Sequence, residues 1–179
     1  MSRNRYVSDY RIVESIDGRG RVRTDFEYIG APWYYAEGAA TVRTARRIVT
    51  ACCPVGWAAW LIALTPRSAA TRALYTALPF VFAAVPMALN TALTLRLLRQ
   101  KEPFEHRHAD QLENRGPACS FLVILLSAIA LIGEAVNALR GAGWLTGDGV
   151  FCACTVILAA CGLASHRQWK GLKCREGAK

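Results

Sequence analysis

Charged side chains are missing from the places where apolar residues gather in this chain. Four stretches, Ile48–Pro66, Ala73–Leu95, Gly116–Leu139 and Gly149–Ser165, contain a single Asp, Glu, Lys, Arg or His between them, Glu134. Runs of this kind have the roughly 17–25 residues needed to cross a hydrocarbon core about 30 Å thick. Cysteine is absent from the two connections 66–72 and 140–148. Those connections are expected on the outer face, so a secreted-type disulfide framework is not expected. Cys52, Cys53, Cys119, Cys152, Cys154 and Cys161 fall within the apolar runs, where free cysteine acts as a small packing residue, and Cys174 falls in the tail. The chain also lacks a glycine loop for phosphate, a Ser/His/Asp set and an aspartate motif for phosphoryl transfer. No cofactor is expected. About 47 mostly polar residues precede the first run, so no removable signal peptide is expected either.

The charge that is present is unevenly placed. Of 22 Lys and Arg, nineteen lie before the first run, between the second and third, or after the fourth; only Arg67, Arg72 and Arg140 lie elsewhere. Lys and Arg near span ends favour the cytoplasmic side, so both termini and the middle connection are expected inside. The fold expected is an all-α membrane protein, a four-helix transmembrane bundle with a small cytosolic N-terminal β-hairpin. Residues 1–35 form the hairpin and an aromatic linker; residues 36–179 form the membrane domain, with spans near 48–66, 73–95, 117–139 and 149–166. Small size and an Ala/Arg-rich composition point to a bacterial cytoplasmic membrane. The net charge of +9 is then explained by topology and attraction to anionic lipid, and nucleic acid is not an expected partner.

The hairpin reading rests on alternation of period two. Tyr10 and Ile12 alternate with Arg11 and Val13; after Asp17-Gly18-Arg19-Gly20, Val22, Thr24, Phe26 and Tyr28 share one side. A lone two-stranded hairpin is marginal in water, so the face carrying Tyr10, Phe26 and Tyr28 needs a covering surface: the bundle's own inner end, a second copy or a partner protein. Ala31–Tyr35 reads as a linker at headgroup level. Beyond it, Arg43, Arg46 and Arg47 share one face of a short helix and are expected to touch anionic lipid.

Four groups carry candidate chemistry. Glu134 lies about five residues, or ~8 Å, from the outer end of its span. An intramembrane carboxylate faces the bundle interior and marks a proton or ion path, or else it bridges helices; Asn137, one turn on, is its expected partner. The second span holds Asn90, Pro79 and Pro86. Each proline frees a carbonyl four residues earlier, which neighbours must satisfy or a cavity must expose. In the middle connection His106, His108 and Asp110 resemble a metal-ligand set, although His106 and His108 point apart in either a helix or a strand. Cys152 and Cys154 open the fourth span with a one-residue spacing unsuited to a local disulfide.

Three functions follow in order: a non-catalytic accessory or interaction subunit, with the lipid bilayer and a protein partner or second copy as its contacts; a small oligomeric transporter or channel component using Glu134; and a membrane thiol or metal enzyme.

Overall fold

The structure, a computed structural model, describes residues 9–16, 22–66, 68, 72–140 and 146–177. The turn Asp17–Gly20, Arg67 and Trp144 lie outside the described residues. Helix dominates, with two small strand pairs beside it.

The expected hairpin is present. Strand β1 (Tyr10–Ile16) pairs antiparallel with β2 (Val22–Tyr28), with Tyr10 opposite Tyr28 and Ile12 opposite Phe26. The expected aromatic linker is instead a strand. β3 (Trp33–Tyr35) pairs with β4 (Cys174–Glu176), Trp33 opposite Glu176 and Tyr35 opposite Cys174. Two further backbone bonds extend this contact, Ala36 N–H to Lys173 O and Gly177 N–H to Pro32 O, both at 2.8 Å. On its other edge Trp33 exchanges backbone bonds with Phe104 at 2.9 and 3.0 Å. Backbone groups that a headgroup-level linker would leave to water are thus satisfied within the protein.

Six helices follow: α1 (Ala39–Ala63), α2 (Leu74–Phe82), α3 (Ala84–Arg99), α4 (His106–Asp110), α5 (Gly116–Leu139) and α6 (Thr146–Gly171). A π-helical turn, Gln111–Arg115, joins α4 to α5. Among the described residues, three segments are long and apolar enough to cross a membrane: Leu74–Arg99, His106–Leu139 and Thr146–Gly171. The first helix, α1, is not among them. It begins at Ala39, so Arg43, Arg46 and Arg47 occupy its opening turns, and it stops at Ala63. Its uncharged part is therefore shorter than the apolar run suggested.

Each long helix packs against its sequence neighbour and the ring closes: α1 on α3, α2 and α3 on α5, α5 on α6, and α6 on α1. The core divides into two apolar layers. One, at the end that carries the strands, centres on Val49, Leu97, Phe104 and Trp169. The other centres on Phe80, Met87, Phe151 and Leu158. In lipid, helices gain little from the hydrophobic effect, so close approach and hydrogen bonds must hold them. Glycine supplies the approach in two places. A Cβ on Gly116 would stand 2.6 Å from Trp169 Cδ2, and one on Gly133 would stand 2.6 Å from Thr76 Oγ1. On the second apolar run the packed face carries Ala83, Met87, Asn90 and Thr94, which are buried, while Ala88 and Ala92 are exposed.

Candidate functional site

At the end of the bundle away from the strands, α2, α5 and the start of α6 enclose a polar cluster. Glu134 on α5 is 2 % exposed. Asn137, one turn on, donates from Nδ2 to Glu134 Oε2 at 3.1 Å and to Thr76 Oγ1 at 3.4 Å. Its Oδ1 accepts from the Tyr75 hydroxyl. The expected Glu134–Asn137 pair is therefore present, and Tyr75 and Thr76 extend it across to α2. Arg140 lies over the Tyr75 ring at 5.8 Å. A second carboxylate, Asp148, is 1 % exposed in the first turn of α6, and Cys152 lies within electrostatic reach of both acids. In the sequence Asp148 stands just before the apolar run that starts at Gly149, which places it outside the expected span. An acidic residue at a helix start complements the macrodipole, and that signal was available. Two buried acids with amide and hydroxyl donors can hold a proton or orient a polar ligand. Among the described residues no group of three or more His, Cys, Asp or Glu is placed to hold a metal ion.

The proline-rich second span behaves as a packing device. The helix breaks at Ala83, between Pro79 in α2 and Pro86 in α3. Trp60 Nε1 reaches across from α1 and donates to Phe80 O at 2.9 Å, next to the break. Pro86 is buried, as are Phe80 and Ala83. Asn90 faces the interior, where its Oδ1 accepts from Trp169 Nε1 at 2.8 Å. Trp169 is correspondingly a fully buried core residue. Between the two apolar layers, Cys52, Cys53, Trp57, Asn90 and Cys161 line a cavity of about 30 Å³, the room of roughly one water.

The middle connection does not form the metal set. His106 stacks on Trp33 at 4.8 Å and directs Nδ1 to Asp9 Oδ2 at 3.3 Å. His108 lies instead against α3, beside Arg96 and Gln111. Asp110 Oδ1 accepts from Asn114 Nδ2 at 2.6 Å. Helical geometry separates the three, as their spacing implied.

The hairpin's expected docking face is divided. Tyr10 donates to Glu105 Oε2, and Tyr28 accepts from the His106 amide at 3.1 Å while donating to Ala31 O at 2.9 Å. Tyr10 and Tyr28 thus dock on the protein's own middle connection rather than waiting for a partner. Burial, reinforced by the Glu105 contact, pushes the Tyr10 phenol up to about 12. Ile12, Val22 and Phe26 remain 63 %, 64 % and 71 % exposed. Of the three arginines expected on lipid, Arg43 and Arg47 are exposed. Arg46 instead turns inward, donating from Nη2 to Gln100 O at 3.0 Å and lying 5.7 Å above the Tyr35 ring. In the tail, burial pushes the Cys174 thiol up to about 12, with Glu113 and Glu102 adding to the shift, which leaves it a poor nucleophile.

No protein-family model, curated protein or solved structure matches the chain.

Proposed function

We propose that the chain is a non-catalytic interaction subunit of a cytoplasmic membrane. In this reading it has four spans, with α1 as the fourth, and both termini face the cytoplasm. The packing of α1 within the ring of long apolar helices supports its membrane placement. The pairing of β3 with β4 supports a common side for the two chain flanks.

The exposed Ile12–Phe26 pair, with Val22 beside it, carries the interaction reading. The base of the hairpin is fixed by Tyr10 and Tyr28, so this apolar ridge stands at a defined position instead of swinging on a tether. A fixed, exposed apolar pair is a typical anchor for a partner surface. Purification from native membranes in a lipid-preserving environment, followed by mass determination of the intact assembly, tests the proposal. A foreign subunit or second copy is expected, and the change Ile12→Ser with Phe26→Ser is expected to release it. A wild-type assembly with the mass of one chain refutes the reading.

The Glu134 network favours a second reading, an oligomeric transporter or channel component. Buried carboxylates in spans often serve proton or ion paths. Here Glu134→Gln should abolish transport in cells while expression stays normal. Full transport by that variant eliminates this reading.

A further inference from the structure

Where β3, the first turns of α1, the Gln100–Glu102 segment and β4 converge, the surface opens into a cavity of about 560 Å³. We propose that this cavity binds a phosphate-bearing group. Its wall carries four cations, Arg43, Arg46, Lys101 and Arg175, against the two carboxylates Glu37 and Glu102. Glu102 is already engaged, since its Oε1 accepts from the Tyr35 amide at 3.0 Å.

Two of the residues lining this wall carry a buried donor. The Tyr35 hydroxyl and Arg46 Nε are buried and have no hydrogen-bond partner. Tyr35 is only 5 % exposed, and the Arg46 guanidinium lies over its ring and opposes part of the effect of burial on its phenol. Buried donors rarely stay unpaired, because each loses its water without compensation. Burial pushes the Tyr35 phenol above its ordinary value, so it remains a donor at neutral pH. The start of α1 adds to this field, with no acidic residue in its first turn and no side chain capping its amides. A guanidinium fork, a phenol and an ammonium together suit an anion with several oxygens, the pattern that phosphate satisfies. The inference does not depend on the hairpin's role.

Two sources share this chemistry, an anionic lipid headgroup and a soluble phosphate ester. The full chain is placed in phosphatidylcholine nanodiscs and titrated calorimetrically with glycerol phosphate. In a parallel arm phosphatidylglycerol is doped into the bilayer, and lipid retained by the protein is counted by native mass spectrometry. Saturable binding in either arm supports the site and names its source. Tyr35→Phe keeps the ring and the cation above it, and Arg175→Gln alters only the exposed rim, so both variants test the site without rebuilding the core. Each is expected to weaken binding about tenfold, the worth of one charge-assisted hydrogen bond. Arg47→Gln removes the same charge from the same helix but not from the cavity wall, and is expected to change binding by less than about twofold. Equal weakening by Arg47→Gln, or no saturable binding of either probe, overturns the proposal.

Discussion

Trp169→Phe offers a direct test of how the half of the bundle nearest the strands is held. The native indole is fully buried, lies against Gly116 and donates to Asn90 Oδ1 at 2.8 Å. Phenylalanine preserves a ring but removes the donor, so Asn90 keeps a buried acceptor without its partner. Interhelical hydrogen bonds in membranes average about 0.6 kcal/mol and reach about 1.7. The Trp169–Asn90 bond should fall near the upper value, because the indole is fully buried and Asn90 nearly so. Lost ring volume adds a cost of order 1 kcal/mol, giving about 2–3 kcal/mol in total. The volume loss is independent of Asn90, so a double-mutant cycle with Asn90→Leu isolates the bond. Unfolding in mixed micelles of rising SDS fraction, followed by far-UV circular dichroism, supplies the four stabilities. The expected coupling is about 1–1.7 kcal/mol, with the double variant less impaired than the two single costs added together. A coupling near zero would refute the claim that this bond, rather than ring packing alone, ties α3 to α6.

Other perturbations bear on separate parts of the molecule. Gly116→Ala drives a methyl against the Trp169 ring, and the same micelle titration should register a loss of about 1–3 kcal/mol. Glu134→Gln still accepts from Asn137 and should shift stability by less than about 1 kcal/mol, whereas Glu134→Leu strands that donor and should cost about 1–3 kcal/mol. Tyr10→Phe removes the tie to Glu105 and should make the hairpin more sensitive to limited proteolysis, with the helices unaffected. Because the Tyr10 phenol is raised to about 12 in the folded protein, its contribution to docking is complete below the ordinary value of about 10. That contribution is lost as pH rises from there toward about 12. Tyrosinate absorbance measured alongside proteolysis should show the two changes moving together.

The legible parts of this chain were those with a local repeat. Uncharged runs marked the long helices, and period-two alternation marked β1 and β2. The Glu134–Asn137 pair followed from helical spacing alone. Other features depended on contacts between distant segments. Strands β3 and β4 are three residues each and pair Tyr35 with Cys174, a separation at which no periodic pattern exists. Trp169 lies just beyond the fourth apolar run and gives no local sign of burial; Gly116, on another helix, makes room for it inside. Arg46 shares its sequence signature with Arg43 and Arg47, and nothing local distinguishes the one that turns inward. The same limit applies to the first span, because an apolar run does not reveal that its helix opens with three arginines.

The β3–β4 pairing also carries a consequence for biogenesis. Strand β3 leaves the ribosome before any of the long helices, but its partner follows α6. The edge of β3 that takes β4 therefore stays open while the helices are inserted, and closes only after the last has been made. Closure of this short sheet marks completion of the helical bundle. A chain halted earlier would present an unpaired aromatic edge, a feature by which quality-control proteases could recognise it.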